Sequence, residues 1–277
     1  MLEEILRQIV EEKRRQGVAD KVIINFVREY IQYLVLSLIY NQKNLKSLIF
    51  KGGSCLRVCF DMPRLSEDLD FDFNKKIFKK DLLSGLGSYL AKEIKTKHFA
   101  YLETKVQSDI RLYLKFPIIR KLGLASGSES DKLYVKVEVN DELIPFGKID
   151  ITPVSRYGFN FVVRHYDLPT LMVGKIHALI YRLWFKGKKS EIDVKGRDFY
   201  DLYWYLEKGI KPNWKSLKAT TKIADKKKLK LMLLSRIEKV VTPQKLNYDL
   251  VNFFPDQEFV ADFSRNYLKI IKKFFNF

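Results

Sequence analysis

The run Ser66 to Phe73, SEDLDFDF, alternates acidic and apolar side chains, and that alternation has the period of a β-strand. Successive side chains on a strand point to opposite faces, so Leu69, Phe71 and Phe73 form a core face while Asp68, Asp70 and Asp72 form an acidic one. Three carboxylates on one face repel each other. Sheltered from water they cost several kcal/mol unless a cation sits among them, and the usual cation is Mg²⁺. The alternative is an edge strand whose polar face is wet.

The stretch just before it bears on the same question. Leu48 to Phe50 reads as a short apolar strand, and Gly52-Gly53 lets the backbone turn sharply into a helix from Ser54 to about Phe60. Amide N–H groups at such a helix start, with the helix dipole behind them, seat an anion such as phosphate, and Ser54 adds a hydroxyl. Read structurally, the same residues are a tight turn with Ser54 as the helix cap. Cys55 and Cys59 lie four apart on this helix, cannot build a disulfide framework, and read as buried free thiols of a reducing compartment.

Elsewhere the pattern divides the chain into α/β and helical parts. Residues 2–16 and 20–40 carry helical periodicity. A helix near 79–95 precedes strand-like segments at 109–116, 132–140, 148–152 and 159–164, which predicts a mixed or antiparallel sheet. From Leu168 onward the pattern is helical. The expected fold class is α/β (α+β): a mixed-sheet domain flanked by helices, plus a C-terminal helical domain. The expected boundaries are 1–45 for amino-terminal helices packing on the catalytic part, 46–167 for the sheet domain and 168–277 for the helical domain.

Within that frame Lys136 and Glu138 share a strand face opposite Val135, Val137 and Val139, so Glu138 could add a carboxylate beside Asp68 and Asp70, with Asp150 as its rival. Lys175 and Arg182, seven apart, align two cations on one helix face. Asp198 and Asp201 open the next helix, where the dipole alone favours acids. Residues 186–195 read as a basic, substrate-contacting or hinge loop, and the lysines at 226–230 as a solvated face. His98, His165 and His177 match no metal-ligand spacing and read as structural or exposed.

Charge adds a partner class. The chain has 51 Lys and Arg against 33 Asp and Glu, a formal +18, so a polyanion such as nucleic acid is the natural partner. The apolar run Tyr33 to Tyr40 is too short to cross a bilayer, and the acidic, amphipathic amino terminus is unlike a signal peptide. The expected location is the cytoplasm, with no membrane partner.

Gly52-Gly53-Ser54, the SEDLD of Ser66 to Asp70, Lys136-x-Glu138, Lys175 with Arg182, and Arg197-Asp198-x-x-Asp201-Leu202 follow one another in the order of a known family. From about Phe50 to Leu206 the chain resembles the AbiEii/AbiGii toxin nucleotidyltransferases of the DNA polymerase beta-like superfamily. The resemblance implies that Gly53 and Ser54 hold the triphosphate of an incoming NTP and that Asp68 and Asp70 ligate Mg²⁺ or Mn²⁺. It also matches Lys175 and Asp198 to the family's later essential lysine and aspartate, and it sets Glu138 where the family often has aspartate. Lys51, Arg64 and Arg182 are further candidates to counter the triphosphate, and Asp198 could orient Lys175 or act as a base. Asp72 is then a polar strand position beyond the site. The implied activity is transfer of a nucleoside monophosphate to RNA, in characterised relatives the acceptor end of tRNA, by a toxin of a toxin-antitoxin or phage-defence system, with a possible cognate antitoxin. The alternatives are nucleotidylation of a protein side chain and a non-catalytic binding module.

Overall fold

A computed structural model describes residues 2–73, 79–108, 110–125, 130–182, 185 and 194–275. Seven strands form one mixed sheet: β1 (Ile49–Lys51), β2 (Asp68–Asp72), β3 (Glu103–Gln107), β4 (Arg111–Pro117), β5 (Lys132–Asn140), β6 (Ile149–Arg156) and β7 (Phe159–Tyr166), in the order β3-β4-β5-β2-β1-β7-β6. The acidic strand β2 is interior, antiparallel to β1 and parallel to β5. This excludes the edge-strand reading, and on the acidic face Asp72 is fully buried while Asp68 and Asp70 are half-buried. β4 lies antiparallel to both β3 and β5, and β1 runs parallel to β7.

Several strands differ from expectation. β3 has no counterpart in the sequence reading, because it is a mostly exposed, polar edge strand without alternation. β6 runs on to Arg156 through Pro153, which an edge strand tolerates because one side of its ladder needs no N–H. The segment expected at 109–116 begins at Arg111, with position 109 outside the described residues.

The helices are α1 (Leu2–Arg15), α2 (Asp20–Asn41), α3 (Gly52–Phe60), α4 (Lys79–Lys97), α5 (Leu168–Tyr181), α6 (Gly196–Glu207), α7 (Trp214–Thr221), α8 (Lys226–Val240), α9 (Pro243–Leu250) and α10 (Gln257–Lys273). The chain forms two compact units, one of Met1–Leu143 with Ile149–His165 and one of Ile144–Lys148 with Tyr166–Phe277.

In the first unit Phe50, Leu69, Phe71, Val135, Val137 and Val139 are buried, as their alternation requires. By length and composition α2 is apolar enough to cross a membrane, contrary to the expectation from its longest apolar run, yet 78% of that stretch is buried, the behaviour of a core helix. Its far end is pinned by the Tyr40 hydroxyl, which donates to the carbonyls of Leu48 (3.1 Å) and Arg164 (3.0 Å). In mid-helix the buried Glu29 accepts from Arg57 Nε at 2.6 Å, which anchors α3 to α2.

The second unit is helical, and its helix starts are closed by side chains. Asp167 accepts from the Thr170 amide at 3.0 Å ahead of α5, and Asn213, Asp225, Thr242 and Asp256 cap α7 to α10 in the same way. Each such cap contributes about 1 kcal/mol. Tyr200, Phe254 and Phe263 pack edge to face in the core of this unit.

Candidate active site

In the first unit the parallel register of β2 and β5 sets Asp70 beside Glu138 and Asp68 beside Lys136. Lys136 Nζ lies 3.0 Å from an oxygen of Asp68 and 3.0 Å from one of Glu138. Arg111, across the β4–β5 ladder, places Nε 2.5 Å from Glu138. Burial, then the charges of Asp68 and Glu138, push the Asp70 carboxyl up to about 6, against the opposing pull of Lys51 and Lys136. Burial also raises the Glu138 carboxyl, but Arg111 and Lys136 outweigh it and leave it below its usual range. Of the two rivals for a third carboxylate, Glu138 stands next to Asp70. Asp150 is exposed on β6, separated from β2 by β1 and β7.

Asp72 departs from its expected role. It is fully buried, and Lys51 Nζ sits 2.5 Å from its carboxylate. Lys51 therefore neutralises a buried strand acid as well as biasing Asp70. Arg111 was missed by the sequence reading because only strand pairing carries it to Glu138.

The turn at the start of α3 is built around the same acids. Gly52 has φ +77°, and a Cβ there would fall on the Asp70 carboxylate, so backbone conformation and close approach both demand glycine. A Cβ on Gly53 would meet Arg64 Nη2 at 2.5 Å and Ser66 Oγ at 2.9 Å. Arg64 is 2% exposed and donates from Nη1 to the Leu65 carbonyl at 2.9 Å, so its charge lies in the wall behind Gly53. The helix begins at Gly52, with Lys51 as a cap residue that makes no side-chain capping bond. Ser54 is thus inside the first turn and does not cap it. Its hydroxyl donates to the Asp68 carbonyl and ties the turn to the acidic strand. Gly52→Ala is expected to lower unfolding free energy by about 2–5 kcal/mol, the sum of a left-handed non-glycine residue and an overpacked contact. Urea unfolding with an unchanged m-value is the check.

The second unit holds its own charged cluster. Lys175 Nζ on α5 lies 3.2 Å from Asp198 and 2.6 Å from Asp201, both on α6. Arg182, at the end of α5, places Nη1 2.5 Å from the other oxygen of Asp198. Asp198 is 3% exposed and Asp201 is fully buried. Burial raises the Asp198 carboxyl, but Lys175, Arg182 and Lys195 overcome it and hold it below its usual range. Asp198 thus lies between two cations, Lys175 on one oxygen and Arg182 on the other. Asp201, read from the sequence as a dipole-favoured acid, is the nearer partner of that lysine. Burial, then Arg197, pushes the Lys195 ammonium down. The rest of the expected basic loop, 186–193, lies outside the described residues.

Residues 34–277 match the profile of the family described as nucleotidyl transferase AbiEii toxin, type IV toxin-antitoxin system. MenT4, a nucleotidyltransferase toxin of Mycobacterium tuberculosis H37Rv, has a similar fold at 14% identity, covering 96% of this chain and 89% of its own with a TM-score of 0.53. JHP933 of Helicobacter pylori aligns at 20% identity over 88% of this chain and 93% of its own, with a TM-score of 0.43. No curated protein matches the sequence. The profile spans most of both units, from within α2 to the end of the chain, and on that ground the chain belongs to the AbiEii nucleotidyltransferase toxin family of type IV toxin-antitoxin systems.

Proposed function

We propose that this nucleotidyltransferase moves a nucleoside monophosphate from an NTP to RNA, at the acceptor end of tRNA, with Mg²⁺ or Mn²⁺ held by Asp68, Asp70 and Glu138. One observation carries the reading: the parallel register of β2 and β5 sets Asp70 beside Glu138, with Asp68 on the same face of β2. A donor set of carboxylate oxygens is of the hard type that a hard divalent cation takes. When bound, that cation would offset the charge of the triphosphate and favour ionisation of the attacking hydroxyl.

The chain's own groups supply the remainder. Backbone amides of the first turn of α3 seat the phosphates, and the missing side chains at Gly52 and Gly53 keep that turn close to the acids. Lys51 and Arg64 hold positive charge beside the turn. In the second unit Lys175 and Asp198 match the family's later essential lysine and aspartate, and Asp198 and Asp201 fix the position of the Lys175 ammonium. As a metal ligand Glu138 would give up part of its pairing with Arg111 and Lys136. The formal charge of +18 draws in RNA. Membership of a type IV system implies a cognate antitoxin, and the proposed setting is the cytoplasm, where transfer to tRNA would stop translation.

The test is incubation of the full chain with each labelled NTP and Mg²⁺ or Mn²⁺, offering purified tRNA, total RNA and lysate protein. Label in tRNA with release of pyrophosphate is the expected result. Label confined to protein overturns the acceptor, and no label in any fraction overturns the transfer.

A further inference from the structure

We propose that Cys55, Cys59 and His165 form a second metal site, specific for a thiophilic ion such as Zn²⁺, that clamps α3 to β7. The three side chains come from segments far apart in the chain. Cys55 and Cys59 project from one face of α3, and His165 lies on β7, opposite Phe50 in the parallel β1–β7 ladder. Their ligand atoms all lie within 4.8 Å of one another. In a tetrahedral zinc site, bonds of about 2.0–2.3 Å put donor atoms roughly 3.3–3.8 Å apart, so closure needs shifts on the order of 1 Å.

The surroundings suit ligation. His165 is fully buried, and its Nε2 lies 2.8 Å from Thr152 Oγ1, the kind of hydrogen bond that fixes ring orientation and tautomer in a metal-bound imidazole. Phe60 packs edge to face on the ring, with centroids 5.1 Å apart, and restrains it further. Cys55 is buried while Cys59 is only half-buried, which leaves a route for the ion and for a solvent molecule in the fourth position.

Donor chemistry separates this site from the acids of β2 and β5. Two sulfurs and one nitrogen prefer Zn²⁺, whereas carboxylate oxygens prefer Mg²⁺ or Mn²⁺. Binding is balanced without any redox change: each thiol that ligates gives up its proton to solvent, and the imidazole binds neutral. Because α3 also carries Gly52 to Ser54, occupancy would hold the phosphate-seating turn against β7 through the body of the helix. The inference does not depend on which acceptor the enzyme uses.

Cobalt(II) is the probe, added to metal-free full-length protein. One equivalent should give a sulfur-to-cobalt charge-transfer band together with the intense visible bands of a tetrahedral centre, and Zn²⁺ should displace it one for one even with Mg²⁺ in excess. Cys59→Ser, at a half-buried position that should still fold, is expected to weaken cobalt binding more than tenfold and diminish the charge-transfer band, whereas Asp70→Asn should leave both intact. Zinc should also slow amide exchange along residues 52–60 in the wild type and not in Cys59→Ser. Absence of the charge-transfer band overturns the proposal. So does a cobalt signal that Asp70→Asn removes and Cys59→Ser leaves unchanged.

Discussion

Asp70→Asn is expected to reduce nucleotidyl transfer by about a thousandfold or more, because the divalent cation proposed to bind through this carboxylate would supply several kcal/mol of transition-state charge stabilisation. The same substitution is expected to make the metal-free protein more stable. In the fold the Asp70 carboxyl is pushed up to about 6 from an ordinary value of 3.8. The folded state therefore binds this proton more tightly than the unfolded state does, and ionisation costs stability. That cost is absent below pH 3.8, grows between 3.8 and about 6, and is complete above it. A shift of about two units corresponds to at most ~3 kcal/mol, and roughly 1–3 kcal/mol after allowing for the solvent contact that Asp70 keeps.

Thermal melts in chelator are the measurement. From this group, wild-type stability should rise as pH falls from 8 to 5, while Asp70→Asn should be the more stable protein at pH 8 and lack that component. Mg²⁺ or Mn²⁺ should stabilise the wild type at pH 8 and have little effect on the variant. Asp70→Asn protein that folds and still transfers nucleotide at the wild-type rate would sink the assignment of this strand.

Lys175→Ala is expected to cost about 3–5 kcal/mol of stability, the usual penalty for breaking a buried ion pair by removing one partner. The reason is local: the ammonium lies 2.6 Å from fully buried Asp201 and 3.2 Å from nearly buried Asp198. Arg182 still reaches Asp198 in the variant, so the larger share of the penalty falls on Asp201. Lys175→Ala combined with Asp201→Asn should therefore recover part of the loss, and a double-mutant cycle in urea would show the coupling. Activity separates the structural role from the proposed one. At a temperature where circular dichroism reports native protein, both the single and the double variant should fail to transfer nucleotide. A double variant with wild-type turnover would restrict Lys175 to holding α5 and α6 together.

The acidic run forms a strand over Asp68–Asp72, the backbone turns at Gly52, and the described residues after Leu168 are helical, because each is a matter of spacing between near neighbours. Alternation requires two faces, and burial of Leu69 and Phe71 leaves no other register for Asp68 and Asp70. The family order of motifs is likewise a property of the chain read end to end. β3 escaped that reading, since an exposed polar edge strand has no apolar face to reveal a period.

What alternation cannot convey is the partner that a side chain meets across the sheet or between helices. It separates Asp72 from the core face, yet Asp72 is fully buried all the same, and Lys51 closes on the acid. It places Glu138 and Asp150 on equal terms, and only strand order seats one beside Asp70 and the other on an edge. Arg111 with Glu138, Asp201 with Lys175, and the two thiols with His165 are cross-element neighbours of the same kind. The sequence alone determined which faces are apolar, where acids line up and where the backbone must turn, because local stereochemistry sets all three. Only the tertiary structure decided which charges are buried and what neutralises them, because that depends on register and helix packing between residues the chain itself keeps apart.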